Sequence, residues 1–158
     1  MSATRCFDEI EFFDISIIGM KGKSRIINIP EDKEKLWNQV RRILRNPVIA
    51  TYYLSDNLNL EVKGGMSALA DYSLISDNNY PTYVIPKKEM GAVDIKNNQV
   101  SIKSDKVSCI VQEVGYIVDF NQGKDIDPLS LILSLTDEEK DDERIEISIR
   151  EMLEEYVW

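Results

Sequence analysis

Two Asp–Lys neighbourhoods carry residue types that could run metal-assisted phosphodiester cleavage: Asp94-Ile95-Lys96 and Asp105-Lys106. A metal-dependent nuclease needs two or three converging carboxylates to hold the ion, often with a lysine beside one of them. Asp71, Asp77 or Glu113 could supply the partner carboxylate. With 28 acidic residues in the chain, such matches arise by chance, and the nuclease is the weakest of the functional readings. Other catalytic chemistries fall away sooner. Histidine is absent, which removes the commonest general base and zinc ligand. No P-loop, GxGxxG or GxSxG sequence is present, and no cofactor is expected. Cys6 and Cys109 stand alone with no CxxC pair, and they read as reduced thiols of a cytoplasmic protein.

A second set of residues could bind rather than react. Ser2, Thr4, Arg5, Lys21, Lys23 and Arg25 fall near the start of a short helix and around a hairpin tip. Arg5 could fork onto a guanine edge, and the lysines onto phosphate. The ordinary reading of the same tip is a solvated turn. Asp8, Glu9 and Glu11 oppose DNA contact at the far end of that helix. Lys33, Arg41, Arg42 and Arg45 could extend a phosphate-binding stripe, although the solvent face of an amphipathic helix explains them better. The acids Asp137, Glu138, Glu139, Asp141, Asp142, Glu143, Glu154 and Glu155 could dock a basic partner or simply keep the chain in solution.

The elements that must position these residues follow from periodicity. Ala3, Cys6, Phe7, Ile10 and Phe13 form one helical stripe, which predicts a helix over 2–13. A hairpin follows, with strands at 15–20 and 25–29 and a Lys-Gly-Lys-Ser turn. Helix followed by basic-tipped hairpin is the order of the recognition helix and wing of a winged helix, with the two preceding helices missing. Pro30-Glu31-Asp32 opens a helix with an inner stripe of Leu36, Trp37, Val40, Ile43 and Leu44. Strands are predicted at 48–54, 82–85, 100–103, 107–113 and 116–120, and a short helix at 66–74. Asp127-Pro128 starts a helix with its stripe at Leu129, Ile132 and Leu133. An acidic link over 136–142 leads to a last helix lined by Ile145, Ile149, Met152, Leu153 and Tyr156.

The expected fold class is therefore α+β: a partial winged-helix-like segment over 1–30, then a compact mixed α+β domain over 31–158 ending in two helices. At 158 residues the chain is long enough for a real core, and no apolar run approaches a membrane span. The net charge of −9 is uneven. Residues 1–50 carry nine Lys/Arg against seven Asp/Glu, and residues 51–158 carry ten against twenty-one. A basic segment joined to an acidic body could bind nucleic acid locally but not with its whole surface.

The stretch Ser67-Ala68-Leu69 followed by Pro81-Thr82-Tyr83-Val84 resembles the "S-A-L … P-x-Y-V" core of the antitoxin (transcriptional regulator) family of abortive-infection type IV toxin–antitoxin systems. Leu36-Trp37, Leu44-Arg45-Asn46-Pro47-Val48 and Asp127-Pro128-Leu129-Ser130-Leu131 add to the resemblance. It implies a bacterial, non-enzymatic transcriptional regulator with an N-terminal winged helix. By the resemblance, a segment like 4–11 would be the recognition helix and one like 22–25 the wing. DNA would then be a partner of the full-length protein, and a toxin, such as a nucleotidyltransferase, a partner of the acidic body. A homodimer is compatible with all of this. The chain would be a fragment that starts at the recognition helix.

Overall fold

The computed structural model describes residues 17–21, 24–27, 32–116 and 119–158. The expected helix over 2–13, and with it Ser2, Thr4, Arg5 and Lys23, lies outside them, as does the expected boundary at 30/31. The chain divides into two compact units, Met1–Asn46 with Trp158, and Pro47–Val157.

In the first unit, β1 (Ile17–Lys21) and β2 (Ser24–Ile27) pair antiparallel, with Met20 opposite Arg25 and Lys21 opposite Ser24. The strands run one residue further towards the tip than expected from sequence. The register shifts between Ile17 and Gly19. Helix α1 (Lys33–Val40) starts at Asp32, whose carboxylate accepts the Lys35 N–H at 2.8 Å. This satisfies a donor left open in the first turn. Leu36, Trp37, Val40 and Leu44 are buried, while Lys33, Arg41, Arg42 and Arg45 are exposed.

The second unit is α+β. Its sheet has the order β3–β5–β4: β3 (Val48–Leu54) antiparallel to the central β5 (Cys109–Val114), and β4 (Thr82–Pro86) parallel to it. One face packs Leu54, Tyr83, Ile85, Cys109 and Val111 against Leu58, Leu60, Met90, Val93 and Ile95. These last come from loop 56–60, from a 3-10 helix (Lys87–Ala92), from Val93 after it and from the first residue of α3 (Ile95–Asn98). The other side of the unit carries α2 (Gly65–Tyr72), α4 (Pro128–Ser134), α5 (Asp137–Lys140) and α6 (Glu143–Tyr156). Of these, α2 packs on β4, and α2, α4 and α6 pack on one another.

Gly64 and Gly65 make the α2–β4 contact close. A Cβ on Gly64 would overlap Val84 Cγ1, and Gly65 sits at φ +50 with Thr82 beside it. Only glycine meets both demands without strain. The segment 62–63 extends the sheet beyond β4. Val84 N–H donates to Val62 O and Gly64 N–H to Thr82 O, while Lys63 N–H donates to Lys124 O and Ile126 N–H to Lys63 O. Lys63 thus joins β4 to β7 (Asp125–Ile126), which pairs with β6 (Asp119–Phe120).

Three expectations need correction. Residues 100–103 form no strand: the Val100 N–H donates to Tyr53 O, and a turn closes at once from Ser104 N–H to Ser101 O. In α4 the inward residue is Leu131, fully buried beside Ile132, while Leu129 and Leu133 are half-buried. Asp127 caps that helix through Ser130 N–H, as its sequence implies. The acidic link is itself a helical turn, α5, whose Thr136 and Glu139 cap each other in a reciprocal box.

Candidate functional site

Helix α2 ends at Tyr72 because Ser73 turns to extended backbone, φ −144, and its hydroxyl donates back to Leu69 O at 2.8 Å. The chain then swings outward and leaves Leu74 98% exposed. It is caught again at Asp77, whose Oδ1 accepts the Ser67 hydroxyl at 2.9 Å and the Asn78 N–H at 2.7 Å. The loop 73–78 is thus pinned at both ends, with an apolar side chain displayed between the pins.

Helix α6 faces this loop. Its N-cap is Asp142, which accepts the Arg144 N–H at 2.9 Å and two guanidinium bonds at 3.2 and 2.8 Å. Between loop and helix runs a groove of about 700 Å³. Met66 and Ile145 lie buried at its lining, and Leu74, Ile75 and Ile147 rise along it; Ile147 is 45% exposed. A second hollow of about 480 Å³ continues past Leu74 and Glu151 to Asp71, Tyr72 and Glu155. Across both, Asp71, Asp77, Glu139, Asp142, Glu151 and Glu155 face one cation, Arg144.

The charges are held in distinct ways. The Arg144 guanidinium and backbone N–H hold the Asp142 carboxyl down to about 2. Glu139 is engaged by the Thr136 N–H at 2.7 Å. Lys63 Nζ meets Asp71 Oδ2 at 2.6 Å, and that carboxylate keeps the ammonium above the ordinary lysine range. Glu151 has no ion-pair partner among the described residues.

Beneath the second hollow the Tyr72 hydroxyl donates to Ile126 O at 2.8 Å, and its ring meets Tyr156 edge-on at 5.1 Å. Burial, then the charges of Asp125 and Asp127, push that hydroxyl above its usual range. Asp127 Oδ2 is buried and meets no donor among the described residues.

An apolar strip with a negative rim attracts a cationic, partly apolar surface. Four of the five candidate nuclease carboxylates, all but Asp105, have a place in the fold or the groove. Asp94 caps α3 through Asn97 N–H at 3.3 Å, Glu113 accepts the Tyr52 hydroxyl at 3.0 Å, and Asp71 and Asp77 belong to the groove. Among the described residues no group of three His, Cys, Asp or Glu is placed to hold a metal ion. Of the proposed DNA-contacting residues, Lys21 ends β1 and Arg25 lies on β2.

Of the acidic C-terminal set, Glu139, Asp142 and Glu155 line the groove. Sequence reasoning missed Leu74, Ile147 and Glu151. The available signal was an isoleucine at 147, off the inner stripe of a helix whose other faces are charged. The residues of the "S-A-L … P-x-Y-V" pattern are structural: Ser67, Ala68, Leu69, Thr82, Tyr83 and Val84 are buried where α2 meets β4. Among the described residues no helix is long and apolar enough to cross a membrane.

No protein-family model, curated protein or solved structure matches this chain.

Proposed function

We propose that this chain is a non-enzymatic, cytoplasmic regulator of the antitoxin type whose acidic α+β unit holds a protein partner. The observation that carries this reading is the groove between loop 73–78 and α6, where a 98% exposed leucine stands among six carboxylates. A leucine so placed gains ~1.5–3 kcal/mol when a partner covers it, and clustered carboxylates speed encounter with a cationic surface. The reading expects a toxin gene beside this one, and the test is co-expression with its product. Wild type should restore growth, and Glu151→Lys with Leu74→Asp should not. A double variant that neutralises as well as wild type sinks the reading.

A second activity, DNA contact, is proposed for the N-terminal region. It draws support from the paired hairpin that ends in Lys21 and Ser24. Duplex binding should weaken with salt and with charge reversal at Arg5 and Arg25. Absence of salt-sensitive duplex binding at low ionic strength removes this part.

A further inference from the structure

We infer that the occupant of the groove is an amphipathic helix with basic flanks, contributed by another protein; this rests on the partner-holding reading above. The first ground is the lining. The groove is walled by α6, loop 73–78 and residues of α2 and α5, with no strand edge among them. An extended peptide would find no ladder to join there, whereas a helix brings its own backbone hydrogen bonds. The polar atoms at the pins of the loop are already engaged: Ser73 Oγ with Leu69 O, and Asp77 Oδ1 with Ser67 and Asn78.

The second ground is geometry. Arg144, Ile147, Ser148, Glu151 and Glu155 follow one another at helical spacing along α6. They mark a seam of roughly 17 Å, about three turns of a docked helix. Leu74, Ile75 and Ile147 offer three apolar contact points for an occupant with anchors at i, i+4 and i+7.

The third ground is charge. Acids stand on both walls: Asp77 on the side of loop 73–78, with Asp71 beyond it shared with Lys63, and Glu139, Glu151 and Glu155 on the other. A helix with lysine or arginine on both sides of its apolar stripe matches this pattern, and a nucleic acid or an anionic lipid surface is repelled by it. The chain's own basic helix does not qualify. Lys33 on α1 and Arg41, Arg42 and Arg45 after it are exposed, but the helix's apolar residues Leu36, Trp37 and Val40 are already buried.

The probe is a synthetic leucine–lysine peptide of about five turns patterned as an amphipathic helix. Its control is a peptide of identical composition with the pattern scrambled. Each is titrated calorimetrically into the whole 158-residue chain, with amide-shift mapping. The patterned peptide should bind roughly tenfold more tightly than the scrambled one, with shifts at Leu74, Ile147 and Glu151. Leu74→Asp and Glu151→Lys should each weaken it by about tenfold, and both should melt like wild type because both side chains face solvent.

Equal binding of the two peptides, shifts centred elsewhere, or no binding overturns the proposal. So does self-association that fills the groove and excludes the peptide. The titration needs no toxin. A positive titration with failed neutralisation overturns the antitoxin reading alone, and a negative titration with Glu151-dependent neutralisation overturns the helix alone.

Discussion

Ser67 Oγ donates to Asp77 Oδ1 at 2.9 Å while accepting the Thr82 N–H at 2.8 Å. One buried hydroxyl therefore ties the loop wall of the groove to the first residue of β4. Ser67→Ala removes both bonds and leaves a buried N–H without its acceptor, at a cost of about 1–3 kcal/mol. Thermal unfolding should show a fall of several degrees, and amide exchange at 76–79 should accelerate. An unchanged melting curve would show that the hydroxyl carries no load.

The glycine pair makes a sharper contrast. Gly64→Ala drives a methyl into the buried Val84 Cγ1 and towards Gln112 Oε1. We expect a loss of about 1–3 kcal/mol in denaturant titration. Gly91→Ala meets nothing within 4 Å and should be neutral or slightly stabilising. Equal stability of the two variants would refute the close approach of α2 to β4.

Tyr72 predicts an alkaline limit. Its hydroxyl is raised above the ordinary 10.0, chiefly by burial, so the neutral form is favoured in the folded state. The resulting contribution is fully present below pH 10.0 and is lost as pH rises through the folded value. Tyr72→Phe should cost about 1 kcal/mol near neutrality, through the lost bond to Ile126 O. It should lose less stability than wild type between pH 10 and more alkaline solution. Parallel stability–pH curves would rule this out.

Asp142 predicts an acid limit of opposite sign. Arg144 holds its carboxyl down to about 2, against an ordinary 3.8. The stabilisation is present above 3.8 and disappears as pH falls to about 2. In Arg144→Gln the carboxyl should titrate higher, though still below 3.8, because the backbone N–H at residue 144 persists. Carbon-detected NMR of the carboxyl reads this directly, and an unmoved titration contradicts the assignment.

The local grammar of this fold was legible before its arrangement was. Asp127-Pro128 announced a capped helix, and the β-rich run at 48–54 gave β3 residue for residue, since capping and strand propensity are written in neighbouring residues. The order β3–β5–β4 was not legible, because parallel pairing across the 87–108 crossover leaves no mark in either strand. Residues 100–103 carry alternating Val and Ile yet form a turn, since their backbone bonds go to Tyr53 O and back to Ser101 O rather than to a ladder. The groove was legible only as acidity. Glu139, Asp142 and Glu155 stood out by charge, whereas Leu74 looked like the last apolar residue of a helix that in fact stops at Tyr72.

Lys63 gives the groove a kinetic character. Its backbone is bonded towards β7, and its neighbours Val62 and Gly64 are bonded to β4. The loop wall grows from α2 just after it, and the α6 wall follows β7, so both walls hang from one hydrogen-bonded strip. A groove framed in this way is preorganised and has little shape to acquire on docking. Its on-rate should follow ionic strength through steering alone, and losses of affinity in wall variants should appear as shortened residence times.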